Sequence, residues 1–431
     1  MTNDTQIVKL ISDAYGGEAF GRLTDGRATF VPLGIGGETV RIRPVAEKRG
    51  YVRAELVEVL DPSPARINPL CPHFGVCGGC HYQQIAYESQ LEIKAAILRE
   101  QLERVGGMKN PPIKPTIASP QNWNYRNHIQ FHPIPVVSNN GSSTQDPLCR
   151  LGFAARQTSI DSRIEQFIAV DVCHLPEAPL DTLWQQIDLE SIPGLERISL
   201  RLGIEEDVLL VLESNTLEMP EFGLDLPLSA VHISPGGTIV LAGNEHIVMQ
   251  VKDRDFQVSA PSFFQVNSRM AERMVEHILE NLALEAQDTL LDVYCGVGLF
   301  SAFLAPKVKR LIGIESSLSA CADFEINLDA FDHVELYEDG AERVLPSLKL
   351  RPDVVLVDPP RAGLQRAALD SILALEPRTI VYVSCDAATL ARDAQRLNSG
   401  GYHLRQITPF DLFPQTYHIE SISFWDVSIQ Q

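Results

Sequence analysis

The chain has 431 residues, of which 45% are hydrophobic and 21% charged, and its formal net charge at pH 7 is −20. This length predicts two or three domains with a sizeable core, and the acidic balance argues against a general polyanion binder. No apolar run is long enough to span a bilayer, and the start Met1-Thr2-Asn3-Asp4 lacks a secretory signal. We therefore expect a cytoplasmic protein whose 8 cysteines act as metal ligands or catalysts.

The first sixty residues alternate apolar and polar side chains in short runs that glycines separate. Examples are residues 28–32, 39–43 and 51–59. So many short strands in so few residues predict a small OB-like β-barrel over residues 1–62.

Five basic residues of this region form a modest stripe on probable strands. Residues 1–110 as a whole are balanced in charge, so the acidic excess of the chain lies beyond them. A solvated face and a contact with phosphate explain the stripe about equally well. Its members are Arg41, Arg43, Lys48, Arg49 and Arg53.

Three cysteines, Cys71, Cys77 and Cys80, lie in one loop whose glycines and proline allow it to wrap around a metal centre. A 4Fe-4S cluster or a tetrahedral zinc site requires four thiolates. We take Cys173 as the fourth ligand and Cys149 as its competitor. A zinc knuckle is the main rival to an iron-sulfur cluster, and three unligated thiols are the simplest alternative.

A helix is predicted from Ser89 to Val105, and two glycines end it. The stretch 115–260 is typical of mixed β structure. We therefore predict that residues 63–260 form a central α+β domain that carries the metal centre. The helix itself is a candidate for packing on the domain that follows.

Strands and helices alternate after residue 261, which predicts a doubly wound α/β domain over 261–431. Its first strand leads through Tyr294 into a turn with Gly296 and Gly298, where the backbone can approach a ligand closely. The second strand ends at Glu315, whose carboxylate can accept hydrogen bonds from a ribose diol. The third glycine of the dinucleotide motif is absent, which favours an adenosine ligand without pyrophosphate, such as S-adenosylmethionine.

Acidic residues also follow the third and fourth strands of this domain. Asp339 follows the third strand, from which it could contact an adenine, and Asp358 begins the sequence Asp358-Pro359-Pro360-Arg361. Each acid alone could be a solvated strand end. Acids after three consecutive strands favour a ligand site instead.

Cys385 directly follows a run of β-branched and aromatic residues that predicts a buried strand, and a helix is predicted from Ala387 to Leu397. Open α/β sheets bind ligands at this end of their strands. With the carboxylate of Glu420 near the chain end, the thiol suggests covalent catalysis, although most free cysteines are small buried hydrophobes. We expect the helix N-terminus at Ala387 to favour the thiolate.

Taken together, these segments resemble the RNA 5-methyluridine methyltransferases, in the iron-sulfur branch that modifies rRNA or tRNA. The resemblance covers nearly the whole chain, and the first sixty residues resemble the TRAM module of that family. It rests on these motifs: Cys71 to Cys80 with Cys173, Phe263-Phe264-Gln265-Val266-Asn267, Asp292-Val293-Tyr294-Cys295-Gly296, Asp358-Pro359-Pro360-Arg361, Ser384-Cys385-Asp386 and His418-Ile419-Glu420-Ser421.

The resemblance implies a class I, Rossmann-like methyltransferase domain that methylates carbon 5 of a uridine in RNA, with Cys385 as nucleophile and Glu420 as base. Among the remaining implied roles, Arg126 would contact the RNA and Phe263, Phe264 or Tyr125 would supply a stacking surface. S-adenosylmethionine and a 4Fe-4S cluster would be the cofactors, and we expect a monomer. The implied methyl-donor contacts are Gln265, Tyr294, Glu315, Asp339 and Asp358, and the implied cluster ligands are Cys71, Cys77, Cys80 and Cys173.

Two features depart from the family pattern. Many relatives carry Asn where this chain has Asp386, and the pI of about 5.0 is low for a protein that holds structured RNA. Both departures concern the affinity and identity of the substrate more than the chemistry.

Two other classes compete with this interpretation. An amino-directed methylase would carry an aromatic residue after the two prolines, where this chain has Arg361. The non-enzymatic alternative is an iron-sulfur RNA-binding or redox-sensing protein with a relic methyltransferase fold.

Overall fold

A computed structural model describes residues 5–135, 148–157, 166–218 and 227–428, apart from 188, 191 and 193. None of the helices in these ranges is both long and apolar enough to cross a membrane. The strands, in chain order, are β1 (Gln6–Ala14), β2 (Glu18–Arg22), β3 (Ala28–Pro32), β4 (Thr39–Glu47), β5 (Tyr51–Asp61), β6 (His128–Pro135), β7 (Leu148–Ala154), β8 (Phe167–Ala169), β9 (Leu189–Glu190), β10 (Leu195–Leu202), β11 (Val208–Ser214), β12 (Ser229–Ser234), β13 (Gly237–Ala242), β14 (His246–Val251), β15 (Arg254–Ser259), β16 (Thr289–Val293), β17 (Arg310–Glu315), β18 (Val334–Glu338), β19 (Val354–Val357), β20 (Thr379–Ser384), β21 (Tyr402–Phe410) and β22 (Glu420–Val427). The α-helices are α1 (Tyr87–Arg104), α2 (Ala178–Trp184), α3 (Ser268–Asn281), α4 (Leu299–Leu304), α5 (Leu318–Asn327), α6 (Ala341–Val344), α7 (Arg366–Ala374) and α8 (Ala387–Ser399).

The first five strands close into a barrel in the order β1-β2-β3-β5-β4. Alternate side chains point inward, as the period of a strand requires, and Leu10, Val31 and Ile42 are fully buried among them. A small barrel thus lies where the alternating pattern predicts one.

The basic stripe of the barrel is largely neutralised by acids on neighbouring strands. The β4–β5 register places Arg41 opposite Glu58 and Arg43 opposite Glu55, and the N–O distances are 3.1 and 3.2 Å. Arg53 forms a longer ion pair (3.5 Å) with Glu18 of β2, across the intervening β3. Cross-strand pairing of opposite charges stabilises such a sheet, so these arginines favour the solvated-face interpretation over a phosphate site.

The central sheet runs in the order β13-β12-β11-β10-β6-β7-β8, with β9 paired to β7. One face packs on its own core, which includes Phe131, Leu200 and Trp184 of α2. The other face contributes Leu209 and Val231 to the large core of the C-terminal region. The central and C-terminal regions therefore share a continuous apolar interior across the predicted boundary at residue 260.

Helix α1 packs against the C-terminal region, although it precedes the central sheet in the chain. Its Leu98 and Leu102 lie in one buried core with Leu390, Ala391 and Ala394 of α8. The helix thus adds to the helical layer that covers one face of the C-terminal sheet.

The C-terminal sheet has seven strands in the order β18-β17-β16-β19-β20-β22-β21. β16 to β20 run parallel to one another, whereas β22 lies between β20 and β21 and runs antiparallel to both. Strand order reverses between β16 and β19, and this reversal opens the crevice where doubly wound sheets bind their ligands. Because β22 is reversed, its first residues lie at the same edge as the last residues of the parallel strands. We call this edge the catalytic edge.

Candidate active site

Cys385 lies at the apex of a tight turn between β20 and α8. The Ser384 hydroxyl donates to the backbone oxygen of Asp386 (3.0 Å) and accepts from its amide (3.2 Å). Asp386 is the N-cap of α8, and its Oδ1 accepts from the amides of Ala388 (3.1 Å) and Thr389 (2.8 Å). The end of β20, the two hydrogen bonds of the Ser384 hydroxyl and the N-cap of α8 together fix the thiol in place.

Glu420 is placed beside this turn by strand register. In the antiparallel pair of β20 and β22, Ser384 lies opposite Ser421. The next position outward on each strand is Cys385 on one side and Glu420 on the other. Directly opposite residues point to the same face with Cβ atoms about 5 Å apart, so the thiol and the carboxyl share one space. Glu420 is buried, with 7% of its surface exposed.

Burial and the neighbouring acids decide the charge of this group. Burial raises the pKa of Glu420 to about 7, although Arg361 and Lys94 oppose the shift. Burial, the Glu420 charge and Asp292 raise the pKa of Asp358 well above its usual range. Glu420 is thus poised to accept or release a proton near neutral pH, and the buried Asp358 carboxyl favours its protonated form more than a free aspartate does.

The helix N-terminus does not favour the thiolate as the sequence predicts. Burial, then the Glu420 and Asp358 charges, raise the pKa of Cys385 to about 12. The amides at the start of α8, those of Ala388 and Thr389, already bind the Asp386 carboxylate. The capping aspartate thus takes the favourable end of the helix for itself and adds a negative charge beside the sulfur. Cys385 rests as a neutral thiol.

The Gly-rich turn after β16 and the end of β17 form a polar pocket. Gly296 has a φ of +54°, and a Cβ built on it would meet nothing within 4 Å, so its backbone borders open space. Its amide donates to Glu315, which also accepts from the amides of Ser316 (2.6 Å) and Ser317 (2.7 Å). This carboxylate is thereby held at the rim of the turn, where it can receive the hydroxyls of a bound ribose.

Gly298 serves packing instead of ligand approach. It has a φ of +90°, and an added Cβ would lie 2.4 Å from a methyl group of Leu328. The glycine therefore lets the start of α4 pack closely against the end of α5.

Two of the remaining residues expected to contact the methyl donor, Tyr294 and Asp339, directly follow strands β16 and β18. Tyr294 has a φ of +64°, and its hydroxyl donates to Glu342 (3.1 Å). Asp339 is held by Arg343, which lowers the pKa of its carboxyl to about 2. Gln265 lies in the loop before α3, and its backbone oxygen accepts from Asn127 (3.0 Å).

The loop that begins at Asp358 is tied to α8. The buried Asp393 carboxylate accepts from the Leu364 amide and from the Tyr382 hydroxyl, both at 2.8 Å. The Thr389 hydroxyl donates to the backbone oxygen of Arg361 (3.2 Å). The same helix therefore orients the Cys385 turn and the loop that carries Asp358.

One buried ion pair near Glu420 is absent from the sequence interpretation. Lys94 of α1 donates to Asp411 (2.5 Å), both side chains are fully buried, and Lys94 also donates to the Phe413 backbone oxygen (3.1 Å). Asp411 follows β21 and starts the loop that leads to Glu420. The pair anchors that loop, and its signal in the sequence is a lysine on the apolar face of α1, three residues before Ile97.

The four expected cluster cysteines line one cavity of about 240 Å³, whose walls also include His73, His174 and Arg126. Among the described residues, no group of three or more His, Cys, Asp or Glu side chains could hold a metal ion. This finding applies equally to the zinc alternative, which needs four sulfurs about 2.3 Å from one point, so it does not separate the two metal centres. The 4Fe-4S cluster stays a prediction. The cysteines on the cavity wall are Cys71, Cys77, Cys80 and Cys173.

Cys149, the competing fourth ligand, lies elsewhere. It belongs to β7 and packs against the core of the central sheet. Cys173 lies on the cavity wall. The structure thus favours Cys173 as the partner of the three-cysteine loop.

Arg126 lies between the cysteine cavity and the catalytic edge. Its guanidinium stands over the rings of Tyr125 (5.9 Å) and Phe413 (5.8 Å), and its buried Nε has no hydrogen-bond partner in the described part of the chain. The contact of Arg126 with RNA remains a prediction.

Comparison with known proteins shows the family to which the chain belongs. A family model described as tRNA (Uracil-5-)-methyltransferase matches residues 225–426. An uncharacterized RNA methyltransferase of Halalkalibacterium halodurans is 32% identical, over 93% of this chain and 92% of that protein. Another, of Aquifex aeolicus, is 34% identical over 96% of each chain. The chain belongs to the tRNA (uracil-5-)-methyltransferase family.

A solved structure of the same family name shares the fold. The crystal structure of Pyrococcus abyssi tRNA (uracil-54, C5)-methyltransferase in complex with S-adenosyl-L-homocysteine aligns with a TM-score of 0.69 and 24% identity. The alignment covers 97% of this chain and 100% of the Pyrococcus abyssi chain. The predicted family and the α/β methyltransferase fold with an N-terminal five-stranded barrel are therefore confirmed.

Proposed function

We propose that this member of the tRNA (uracil-5-)-methyltransferase family transfers a methyl group from S-adenosylmethionine to carbon 5 of a uridine in RNA, through a covalent bond between Cys385 and the base. The register that places Glu420 beside Cys385 is the observation that carries this proposal. The same edge presents Glu315 and the open backbone of Gly296, which suit an adenosine-bearing donor. An intact thiol and base argue against a relic fold that has lost its activity.

The two side chains suit the chemistry of uracil. Carbon 5 is a poor nucleophile in the neutral ring, and addition of the Cys385 sulfur to carbon 6 makes it electron-rich. S-adenosylmethionine, when bound, supplies an electrophilic methyl group. Glu420 then removes the proton from carbon 5, and the bond between sulfur and carbon 6 breaks by β-elimination, which frees the enzyme.

The resting protonation states support this order of events. Cys385 is protonated near neutral pH, so it loses its proton to solvent as the sulfur adds to carbon 6, and hydrogen bonds to the uracil oxygens favour this step by stabilising the enolate that forms. The β-elimination returns the thiolate, which takes up a proton again. Glu420, with a pKa of about 7, is suited to take a proton at the pH of the cell. The nucleophile is thus kept inert until substrate arrives.

The target base must leave its stack to reach this edge. Of the three aromatic candidates for a stacking surface, Phe264 packs against the core and Tyr125 is buried with its hydroxyl on the Pro414 backbone oxygen (3.1 Å). Phe263 is 70% exposed and lies two residues before Gln265. We assign the stacking role to Phe263.

The cavity wall formed by Cys71, Cys77, Cys80 and Cys173 supports the predicted 4Fe-4S cluster, which these thiolates would hold. The cluster would link the loop at 71–80 to the segment that carries Cys173. We assign it a structural role, and the proposed reaction does not pass through it.

A methylation assay tests the proposed function. Purified protein is incubated with S-adenosylmethionine that carries a labelled methyl group and with unmodified tRNA or rRNA transcripts, and the nucleosides are analysed after digestion. The expected product is 5-methyluridine at one position of one RNA class. Label in a methylated amino group, or no label in any RNA, would overturn the proposal.

A further inference from the structure

The N-terminal barrel contacts the Cys385 turn directly. Tyr15 lies in the turn between β1 and β2, and its hydroxyl donates to Oδ2 of Asp386, the residue after Cys385. The two residues are 371 positions apart in the chain. Nothing in the sequence motifs connects them.

A second contact of the same barrel turn lies close by. A Cβ built on Gly17 would stand 2.9 Å from Cδ1 of Tyr417, so the glycine allows the turn to lie flat against that ring. Tyr417 in turn packs on His418, with ring centroids 4.4 Å apart, two residues before Glu420. The barrel turn therefore meets both chain segments that supply the catalytic pair.

The two oxygens of Asp386 divide their work. Oδ1 caps α8 through the amides of Ala388 and Thr389, and Oδ2 receives the barrel tyrosine. Burial and the Asp386 charge raise the pKa of Tyr15, so its hydroxyl stays protonated and donates at any physiological pH. A hydrogen bond to a carboxylate is among the stronger kinds, and this one joins two domains.

We propose that Tyr15 is a positioning residue for the reaction: its bond to Asp386 fixes the Cys385 turn against the barrel and so sets the position of the thiol that attacks the uridine. This inference rests on the proposed function. Residues that act through such a contact shift the rate of attack more than the affinity for either substrate.

The Tyr15→Phe variant of the full chain tests this role, with Tyr51→Phe as the matched control because Tyr51 packs on Phe30 within the barrel. We expect kcat to fall roughly 10- to 100-fold in Tyr15→Phe, as for loss of a hydrogen bond to a charged group. The KM for RNA and the Kd for S-adenosylmethionine should stay within about twofold of the wild type. Tyr51→Phe should match the wild type in all three.

A double-mutant cycle shows whether the effect passes through Asp386. Asp386→Ala should lower kcat, and adding Tyr15→Phe to it should lower kcat little further, because the shared contact is already gone. Independent, multiplying losses would overturn the proposed coupling.

Alkylation of the thiols gives a readout that does not depend on methyl transfer. With iodoacetamide, Cys385 in Tyr15→Phe should react faster than in the wild type, because its turn is no longer held. The buried Cys321 serves as an internal reporter of general loosening and should react at an unchanged rate. Equal acceleration of both cysteines, or of neither, would overturn the inference. If the wild type methylates no RNA, the proposed function fails, while this comparison still decides the role of the contact.

Discussion

The catalytic edge and the cysteine cavity are built by different means. Cys385 and Glu420 take their positions from the ladder of two adjacent strands, and the pocket at Glu315 from a third strand of the same sheet. The four cysteines instead lie on loops, between short turns such as the one from the Cys77 amide to the His73 oxygen (2.9 Å). The first site is formed by the fold itself, whereas the second is formed by loops that a bound group would have to organise.

Replacement of Cys385 by alanine should have the largest effect on the catalytic edge. We expect methyl transfer to fall by roughly 10³-fold or more, because no other group near carbon 6 can replace the sulfur. Since sheet register positions the donor pocket, the Kd for S-adenosylmethionine should not change. The measurement combines a methylation assay with calorimetric titration, and Cys149→Ala is the matched control. Normal turnover of Cys385→Ala would refute covalent catalysis.

Replacement of Glu420 by glutamine separates attack from release. Turnover should fall by about 10²- to 10⁴-fold, because the carbon 5 proton loses its acceptor while Cys385 can still add to the base. The bound RNA should therefore remain attached through a bond that survives denaturing electrophoresis. A variant that turns over freely and accumulates no adduct would show that another residue is the base.

The raised pKa of Glu420 predicts how the rate depends on pH. Because the base acts in its charged form, kcat should rise about tenfold per pH unit up to about 7 and then level off. The shift has a matching effect on stability: a carboxyl whose pKa in the folded protein lies above its ordinary value of 4.5 destabilises the fold increasingly as pH rises from 4.5 to about 7.

Melting curves between pH 4.5 and 8 check the second part of this prediction. Glu420→Gln should gain stability relative to the wild type as pH rises through that window, since it carries no charge to bury. A constant difference between the two proteins would show that Glu420 is not buried in its charged form.

Loss of the Glu315 carboxylate should weaken only the binding of S-adenosylmethionine. Hydrogen bonds to charged groups predict about a 10- to 100-fold rise in the Kd for S-adenosylmethionine in Glu315→Ala. Asp339→Ala is the comparison variant and should have a smaller effect, because that carboxylate is solvent-exposed and held by Arg343. Equal effects of the two would mean that both acids contact the ligand.

A substitution in the cysteine cavity should have the smallest effect on the catalytic edge. Cys173→Ala should lose iron and the visible absorbance of a cluster and should melt several degrees lower, because a bound group that organises loops contributes to folding. Cys149→Ala should keep its iron. The Kd for S-adenosylmethionine should be equal in both variants. A protein that contains zinc or no metal before mutation would refute the cluster, and loss of donor binding in Cys173→Ala would show that the two sites are not built separately.

Positions set by strand periodicity could be predicted from the sequence. Glu315, Asp358 and Cys385 all follow apolar strand patterns, and the parallel order of such strands brings their ends to one edge. The Asp386 cap was also available, since aspartate before a helix is a common N-cap. The effect of this cap on the pKa of the Cys385 thiol could not be predicted, because that pKa depends on which groups are buried beside the sulfur.

Contacts between distant segments could not be predicted. Neither the bond from Tyr15 to Asp386 nor the pair of Lys94 with Asp411 follows a local pattern, because each joins elements more than three hundred residues apart. The barrel stripe shows the same limit in reverse. Its arginines suggested an interaction surface, and the β4–β5 register paired them with glutamates of the protein itself.

Helix α1 has a consequence for how the protein can be divided. A fragment that begins at residue 261 would contain Cys385 and Glu420 and yet lack Leu98 and Leu102, which cover α8, and Lys94, which neutralises a buried Asp411. Such a fragment would expose an apolar groove and leave the buried Asp411 charge uncompensated, so it should be insoluble. A transplantable catalytic unit must therefore carry residues 87–104 with it, and the gene cannot be cut at the border that its sequence motifs suggest.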